Sequence, residues 1–519
     1  MLPIALQQDE AKISEAPATP PSTAGMTTKV VKGSLWTLAG QVAPLGASLI
    51  ATPFTIRLLG SEGYGVLILI TLIPTYLGFA DMGMSIASTK FGSEAYAAGD
   101  PEREARTVRT AALIALCAAI PVAIVVFFAS AKLVTLFNVP EHLLWEASMA
   151  LKVAAVTFVV NFMNQIFNTP QLDRLRMDLN TFVTSGFRIL GVIATPIVIY
   201  LGFGILGAVT VLLVAALLTL AGHIYTSGRL LPELYSLTLD RTIIRPLLKF
   251  GGPLALAAVA SLTLLNAEKG ILPMLVSVEM LAYYSVAFTF ASMAIMFGNS
   301  LVQSLVPSFS QLWSTGRNPE LEELFLRAVF LNLIVLVPGL VVLAVASRTF
   351  FSAWAGPSFG ENSTHPFFIL LGGLLFIIPS YVPFSLLLSM GKSNLFAKLY
   401  LIELIPYFVM LYFLTRAFGI LGAAAAWAIL GTFNGLFYFR LTLPTMELSA
   451  SLPTERIKWL LIAVLTLVPG LGAFSVLGMS KVTVATVGST LAVYGVIVGF
   501  KVLTLHERTW LLKKLPFWA

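Results

Sequence analysis

Residues 203–222 read Phe203-Gly204-Ile205-Leu206-Gly207-Ala208 followed by VTVLLVAALLTLAG, twenty positions without a charged side chain. A helix rises about 1.5 Å per residue, so the run covers about 30 Å, the thickness of a bilayer's hydrocarbon layer. Working outward, similar windows recur at about 34–56, 64–86, 107–130, 144–169, 179–201, 204–226, 248–274, 281–306, 325–347, 366–389, 396–416, 419–443, 458–479 and 483–503. Short polar connections separate them. Backbone groups in hydrocarbon must pair internally, and runs of this length are too long for barrel strands, so the fold expected is all-α with about 14 transmembrane helices.

Composition agrees. Of 519 residues, 57% are hydrophobic and 11% charged, and mean hydropathy is +0.89, too little charge to cover a soluble surface of this size. Cys117 is alone and the four histidines are scattered, which leaves neither a disulfide nor metal-ligand spacing. Residues 1–33 are rich in Pro, Ser, Thr and Ala and lack an apolar signal core; they read as a disordered cytoplasmic tail, with Met26 an alternative start.

With the first residue inside, 24 of the 32 Lys and Arg fall on inner connections and tails, five on outer connections and three within spans. By the positive-inside rule this bias puts both termini in the cytoplasm. It also explains the net charge of +7 without a nucleic-acid partner.

The opening letters FGILGA return at Phe418-Gly419-Ile420-Leu421-Gly422-Ala423, 215 residues later. Gly99-Asp100-Pro101-Glu102 is echoed by Arg317-Asn318-Pro319-Glu320, and Val139-Pro140 by Gly356-Pro357, at offsets of 218 and 217. Matched elements lie six spans apart. Six is even, so the halves face the same way: a parallel repeat about a central cavity. The domains expected are an N-lobe at 34–228, a C-lobe at 245–443, an added helix pair at 458–503 and a cytoplasmic tail at 504–519.

Three groups of residues then carry a likeness. Leu58-Leu59-Gly60-Ser61-Glu62-Gly63-Tyr64-Gly65, Phe79-Ala80-Asp81-Met82-Gly83-Met84 and Ala98-Gly99-Asp100 form the first. Tyr283-Tyr284-Ser285-Val286-Ala287 and Leu305-Val306-Pro307 form the second, and Ala353-Trp354-Ala355-Gly356-Pro357 the third. Over about residues 30–500 the chain resembles polysaccharide exporters, in the O-antigen flippase (Wzx-type) branch of the multidrug/oligosaccharidyl-lipid/polysaccharide exporter superfamily. The resemblance implies two six-helix lobes around a V-shaped cavity in the inner membrane. It also implies translocation of an undecaprenyl-pyrophosphate-linked oligosaccharide for cell-surface polysaccharide synthesis. Partners would be membrane lipids and the polymerase and glycosyltransferases of the same pathway. No cofactor is expected beyond coupling to a proton or sodium gradient.

Such a substrate needs a polar lumen with a cation for phosphate. Ser34, Thr37, Gln41, Ser48, Thr52 and Thr55 share one stripe of the first span. Asn161, Asn164, Gln165 and Asn168 do so in the fourth, and Ser285, Thr289, Ser292, Asn299 and Gln303 in the eighth. Small polar residues also simply pack helix on helix, so charges are the sharper signal. Lys269 and Arg188 are the candidate pyrophosphate ligands, with a salt bridge inside the bundle as the structural alternative. Glu403 and Glu268 are candidates for ion coupling or for pairing those cations. Lys152 reads as snorkelling to the surface, Asp81 as structural, and Lys90 and Arg57 as interfacial anchors.

Two rivals remain. A multidrug or cation antiporter of the same superfamily would want carboxylates in the N-lobe, and the first span has none. A membrane-embedded sugar transferase or polymerase would need a catalytic cluster; no Asp-x-Asp occurs, and Leu386 stands where a phosphate loop ending in Gly391-Lys392-Ser393 would need glycine. The chain is therefore not read as an enzyme. For topology, a fluorescent protein fused after Ala519 is expected to fluoresce and a periplasm-dependent phosphatase fused there to stay inactive; the reverse pattern would invert the orientation.

Overall fold

The computed structural model describes residues 23–76, 83–236, 241–446, 454–467, 469–470, 480–504 and 508. Described residues form helices and turns, with no strand among them. In chain order the helices are α1 (Thr23–Tyr76), α2 (Met84–Ala97), α3 (Pro101–Thr135), α4 (Leu144–Phe167), α5 (Thr169–Asp173), α6 (Met177–Val198) and α7 (Gly204–Leu230). There follow α8 (Arg241–Leu275), α9 (Val278–Ser314), α10 (Asn318–Ala355), α11 (Pro357–Asn362), α12 (Thr364–Ser389), α13 (Ser393–Thr442), α14 (Thr454–Leu465) and α15 (Lys481–Ile497).

Nine helical stretches among the described residues are long and apolar enough to cross a membrane. Three of them hold two expected passes each, because glycine breaks the helix inside: Gly60 (φ 72°), Gly202 with Gly204 (φ 90° and 54°), and Gly419 (φ 56°). A Tyr64–Thr52 hydrogen bond lays the two arms of α1 side by side across Gly60. The described residues do not cover all of the expected fourteen-span pattern, since much of the thirteenth span, 458–479, lies outside them.

Two described helices reach beyond the expected boundaries. Helix α1 already includes Thr23, inside the stretch read as tail, and α3 begins at Pro101 rather than 107. Hydropathy windows end where polarity rises, but a helix continues into water until a cap stops it. At α3 the cap is Asp100, whose Oδ1 accepts from the Arg103 amide at 2.9 Å, with Pro101 in the first turn.

The chain divides into two compact units, Met1–Asn266 and Ala267–Ala519, a boundary within α8 rather than in the polar connection before it. In the first, α3 packs on α4, α4 and α6 on α7, and α1 on α6. In the second, α12 is central, packing on α9, α10 and α13, while α14 and α15 add to an apolar core around Val337, Val341 and Tyr494.

The repeat is visible in backbone torsions. Gly204 and Gly419, second letters of the two FGILGA motifs, have φ/ψ of 54°/−145° and 56°/−132°. Gly99 and Gly316 match at φ 69° and 67°. Leu175 (φ 54°) corresponds to Gly391 (φ 76°).

These corners predict a graded response. Gly419→Ala is expected to lose about 1–3 kcal/mol through backbone strain alone, since nothing lies within 4 Å of the added methyl. Gly204→Ala should cost more, because its methyl would collide with the Glu146 carboxylate. Thermal unfolding in detergent checks the order; equal melting temperatures would refute it.

Candidate functional site

Helices α4, α6 and α7 of the first unit enclose a cavity of about 440 Å³, with Thr71 of α1 at its edge. Asn161, Asn164 and Gln165 come to it from α4 and Asn168 from the turn just after it, all on the stripe their spacing predicts. Thr184 and Arg188 come from α6 at i, i+4, and Ala215, Ala216, Thr219 and His223 from one face of α7. Small residues on α7 leave the space. Ala215 and Ala216 offer only methyls where a leucine would fill it.

Among the described residues, Arg188 is the only Lys, Arg, Asp or Glu lining the cavity. It stands eleven residues into α6, about 16 Å along the axis, well inside the hydrocarbon depth. Among the described residues no carboxylate lies within ion-pair distance of it, so the alternative of a bundle salt bridge is not what the described structure contains. A lone cation at that depth is costly, by roughly 2.5–3.5 kcal/mol on insertion scales, and implies either water or an anion beside it.

The floor is fixed by a buried polar network. His223 is 1% exposed. Its two ring nitrogens share hydrogen bonds with Gln171 of α5 at 3.1 Å and with Thr184 at 3.2 Å. Gln171 also donates to Thr226 at 2.6 Å and Ser227 at 3.1 Å, and Ser227 donates to the Phe167 carbonyl at 2.6 Å. Asn164 is tied in the same way, donating to the Ala216 carbonyl at 3.1 Å. The wall side chains are thus held in place, while Asn161, Gln165 and Arg188 remain exposed to the cavity.

Beneath α5, charged pairs anchor the lobe. Arg174 makes a two-point ion pair with buried Glu104 and stacks on Tyr96, while Ser93 donates to Asp173 at 2.7 Å.

The remaining proposed residues fall elsewhere. Gln41 is exposed on α1 and does not line the cavity; Thr52 and Thr55 on the same stripe bond within the fold, to Tyr64 and to the Ala51 carbonyl. The stripe's described members therefore serve packing as well as polarity. The side chains of Asn299 and Gln303, and Asp81 entirely, lie outside the described residues. Lys269 belongs to the second unit, its Nζ 4.4 Å from the Phe288 ring centre and attracted by adjacent Glu268. Glu268 is fully buried and accepts from the Tyr407 hydroxyl; Glu403 is 6% exposed and accepts from Asn434 at 3.2 Å. Each of these carboxylates keeps one buried oxygen without a hydrogen bond. Lys152 lies against Met149 and the Phe127 ring, and Lys90 against Phe91, Phe250 and Glu94.

Sequence reasoning missed Thr184, Thr219 and His223. The signal was present: Thr184–Arg188 and Ala215–Thr219–His223 repeat at four-residue steps, so each set lies on one helical face. Removing a network member should show coupling. His223→Leu and Gln171→Leu are each expected to cost about 1–3 kcal/mol, and the double variant less than their sum, since the first change already orphans the second group. Unfolding of all four proteins tests this; strict additivity would dissolve the network.

Comparison with known proteins follows the same lines. The model of a family described as "Polysaccharide biosynthesis protein" matches residues 30–313. A protein described as an O-antigen transporter from Shigella flexneri is 20% identical over 409 residues, 77% of this chain and 94% of that protein. Among solved structures, the lipid II flippase MurJ in an inward closed conformation superposes with a TM-score of 0.67 at 13% identity, covering 90% of this chain and 98% of that one. An inward-facing multidrug-resistance MATE transporter of the MOP superfamily gives 0.66 at 13% identity, covering 78% and 96%. Both share the fold. The names describe translocation rather than catalysis, in agreement with the reading that this chain is not an enzyme.

Proposed function

Since the chain belongs to the polysaccharide biosynthesis protein family, we propose that it is a flippase for a lipid-linked oligosaccharide of the undecaprenyl-pyrophosphate type. It works in the inner membrane with both termini cytoplasmic, by alternating access, in cell-surface polysaccharide synthesis. The observation that carries this reading is the first unit's cavity, whose described lining has one cation, Arg188, among Asn, Gln and Thr side chains, and no carboxylate.

The chemistry matches. A pyrophosphate accepts charge-assisted hydrogen bonds from a guanidinium, and carboxamides both donate to and accept from sugar hydroxyls. The hydrocarbon chain needs no such host and stays in lipid. An organic cation would be repelled by Arg188, which counts against the antiporter reading. In the second unit, Lys269 is a second phosphate ligand, and buried Glu268 and Glu403, each with an unbonded oxygen, are where a proton or sodium ion would couple to transport.

Arg188→Ala and Lys269→Ala are expected to slow flipping of the lipid-linked oligosaccharide in reconstituted vesicles by about ten- to a hundredfold, as for loss of a hydrogen bond to a charged group, without loss of folded protein. Arg188→Lys should retain part of the rate. Wild-type rates in both alanine variants would remove these residues from the site, and transport of organic cations instead would favour the antiporter.

A further inference from the structure

Helices α1 and α6 lie in parallel register. Thr181 donates to the Trp36 carbonyl at 3.2 Å and Ser185 to the Gly40 carbonyl at 3.0 Å, both pairs 145 positions apart. Contact is tight because Gly40 lacks a side chain; a methyl there would stand 2.8 Å from Thr181 Cγ2. Beyond Pro44 the same offset sets Ala47–Leu58 opposite residues 192–203, and here the pair opens into a second cavity, of about 500 Å³. Ala47 and Ala51 form its floor, and Phe54, Ile193 and Ile197 its walls. Among the described residues that line it, every side chain is hydrocarbon apart from Arg57 and the Tyr200 hydroxyl, both at one end.

From Ala47 to Leu58 the groove runs about 16 Å, half of the roughly 30 Å hydrocarbon layer, so it serves one leaflet. The charge bias of the connections puts the Arg57 end outward. Resting on the flippase reading above, we infer that this groove receives the polyprenyl chain of the translocated lipid in the outer leaflet, with Arg57 on its pyrophosphate. A phospholipid fits less well: it has two chains, and no lining group would recognise a glycerol backbone or a zwitterionic head. The groove and the Arg188 cavity share α6, so one rigid element carries both the head and the chain stations.

The test places a photoactivatable benzoyl-phenylalanine at Ile197 in the full chain, reconstituted in phosphatidylglycerol vesicles with undecaprenyl pyrophosphate. A polyprenyl adduct at residue 197 is expected, with its yield about tenfold lower in Arg57→Gln, as for one charge-assisted contact, and lost in Ala47→Trp, which fills the groove. A second arm reads the Arg188 cavity by itself. In a Cys117→Ser background, uridine diphosphate glucose, which has no chain, should protect Thr184→Cys from maleimide with or without Ala47→Trp. Phosphatidylglycerol adducts alone at residue 197, or a polyprenyl yield unchanged by both Arg57→Gln and Ala47→Trp, overturn the groove. Protection at Thr184→Cys without a polyprenyl adduct overturns the groove while sparing the flippase reading. An adduct without protection supports the groove and removes the cavity from that reading.

Discussion

Backbone amides in hydrocarbon have no water to fall back on, and this chain is organised around that fact. Each crossing segment closes its own hydrogen bonds, and the chain reverses only where a residue can adopt a positive φ or a cap can replace the lost partners. Gly60, Gly204 and Gly419 mark three such reversals inside otherwise continuous helices. Asp100 caps another helix start, and the Glu146 carboxylate, which accepts from the Leu206 amide at 3.1 Å, caps the helix that begins at Gly204. Because geometry is settled at the corners, the helix interiors are free to vary. They can hold the small residues on α7 and the alanines on α1 that leave room for the two cavities.

Much of this was legible in the letters. Segment length and hydropathy gave an all-helical membrane protein, and the FGILGA pair pointed to corners that prove alike in torsion. Asn161, Asn164, Gln165 and Arg188 meet around one space because each repeats at helical spacing on its own helix and those helices are neighbours. The neighbour relations themselves were not legible. Nothing in the order of residues says that α6 presents Arg188 to α4 and α7 while offering Ile193 and Ile197 to α1. His223 escaped notice for a related reason: its place on the Ala215–Thr219 face shows in the spacing, but its bonds to Gln171 and Thr184, 52 and 39 positions away, do not. Helix ends were misplaced wherever polar caps carried a helix past its apolar window.

The polar content of the first unit separates into two uses. His223, Gln171, Thr226 and Ser227 bond to one another and stiffen the wall. Asn161, Gln165 and Arg188 are left facing the space. Stiffness matters because a host for hydroxyls and phosphate gains from side chains already in place: less ordering entropy is lost on binding.

The corner torsions outlast the letters that first made them. Where the second half uses Gly391 at φ 76°, the first uses Leu175 at φ 54°, although leucine is poorly suited to it. A duplicated ancestral unit leaves this trace when side chains drift but the path of the chain does not. Kinship among such proteins is then better sought in the places where the chain turns than in the identity of the residues that turn it.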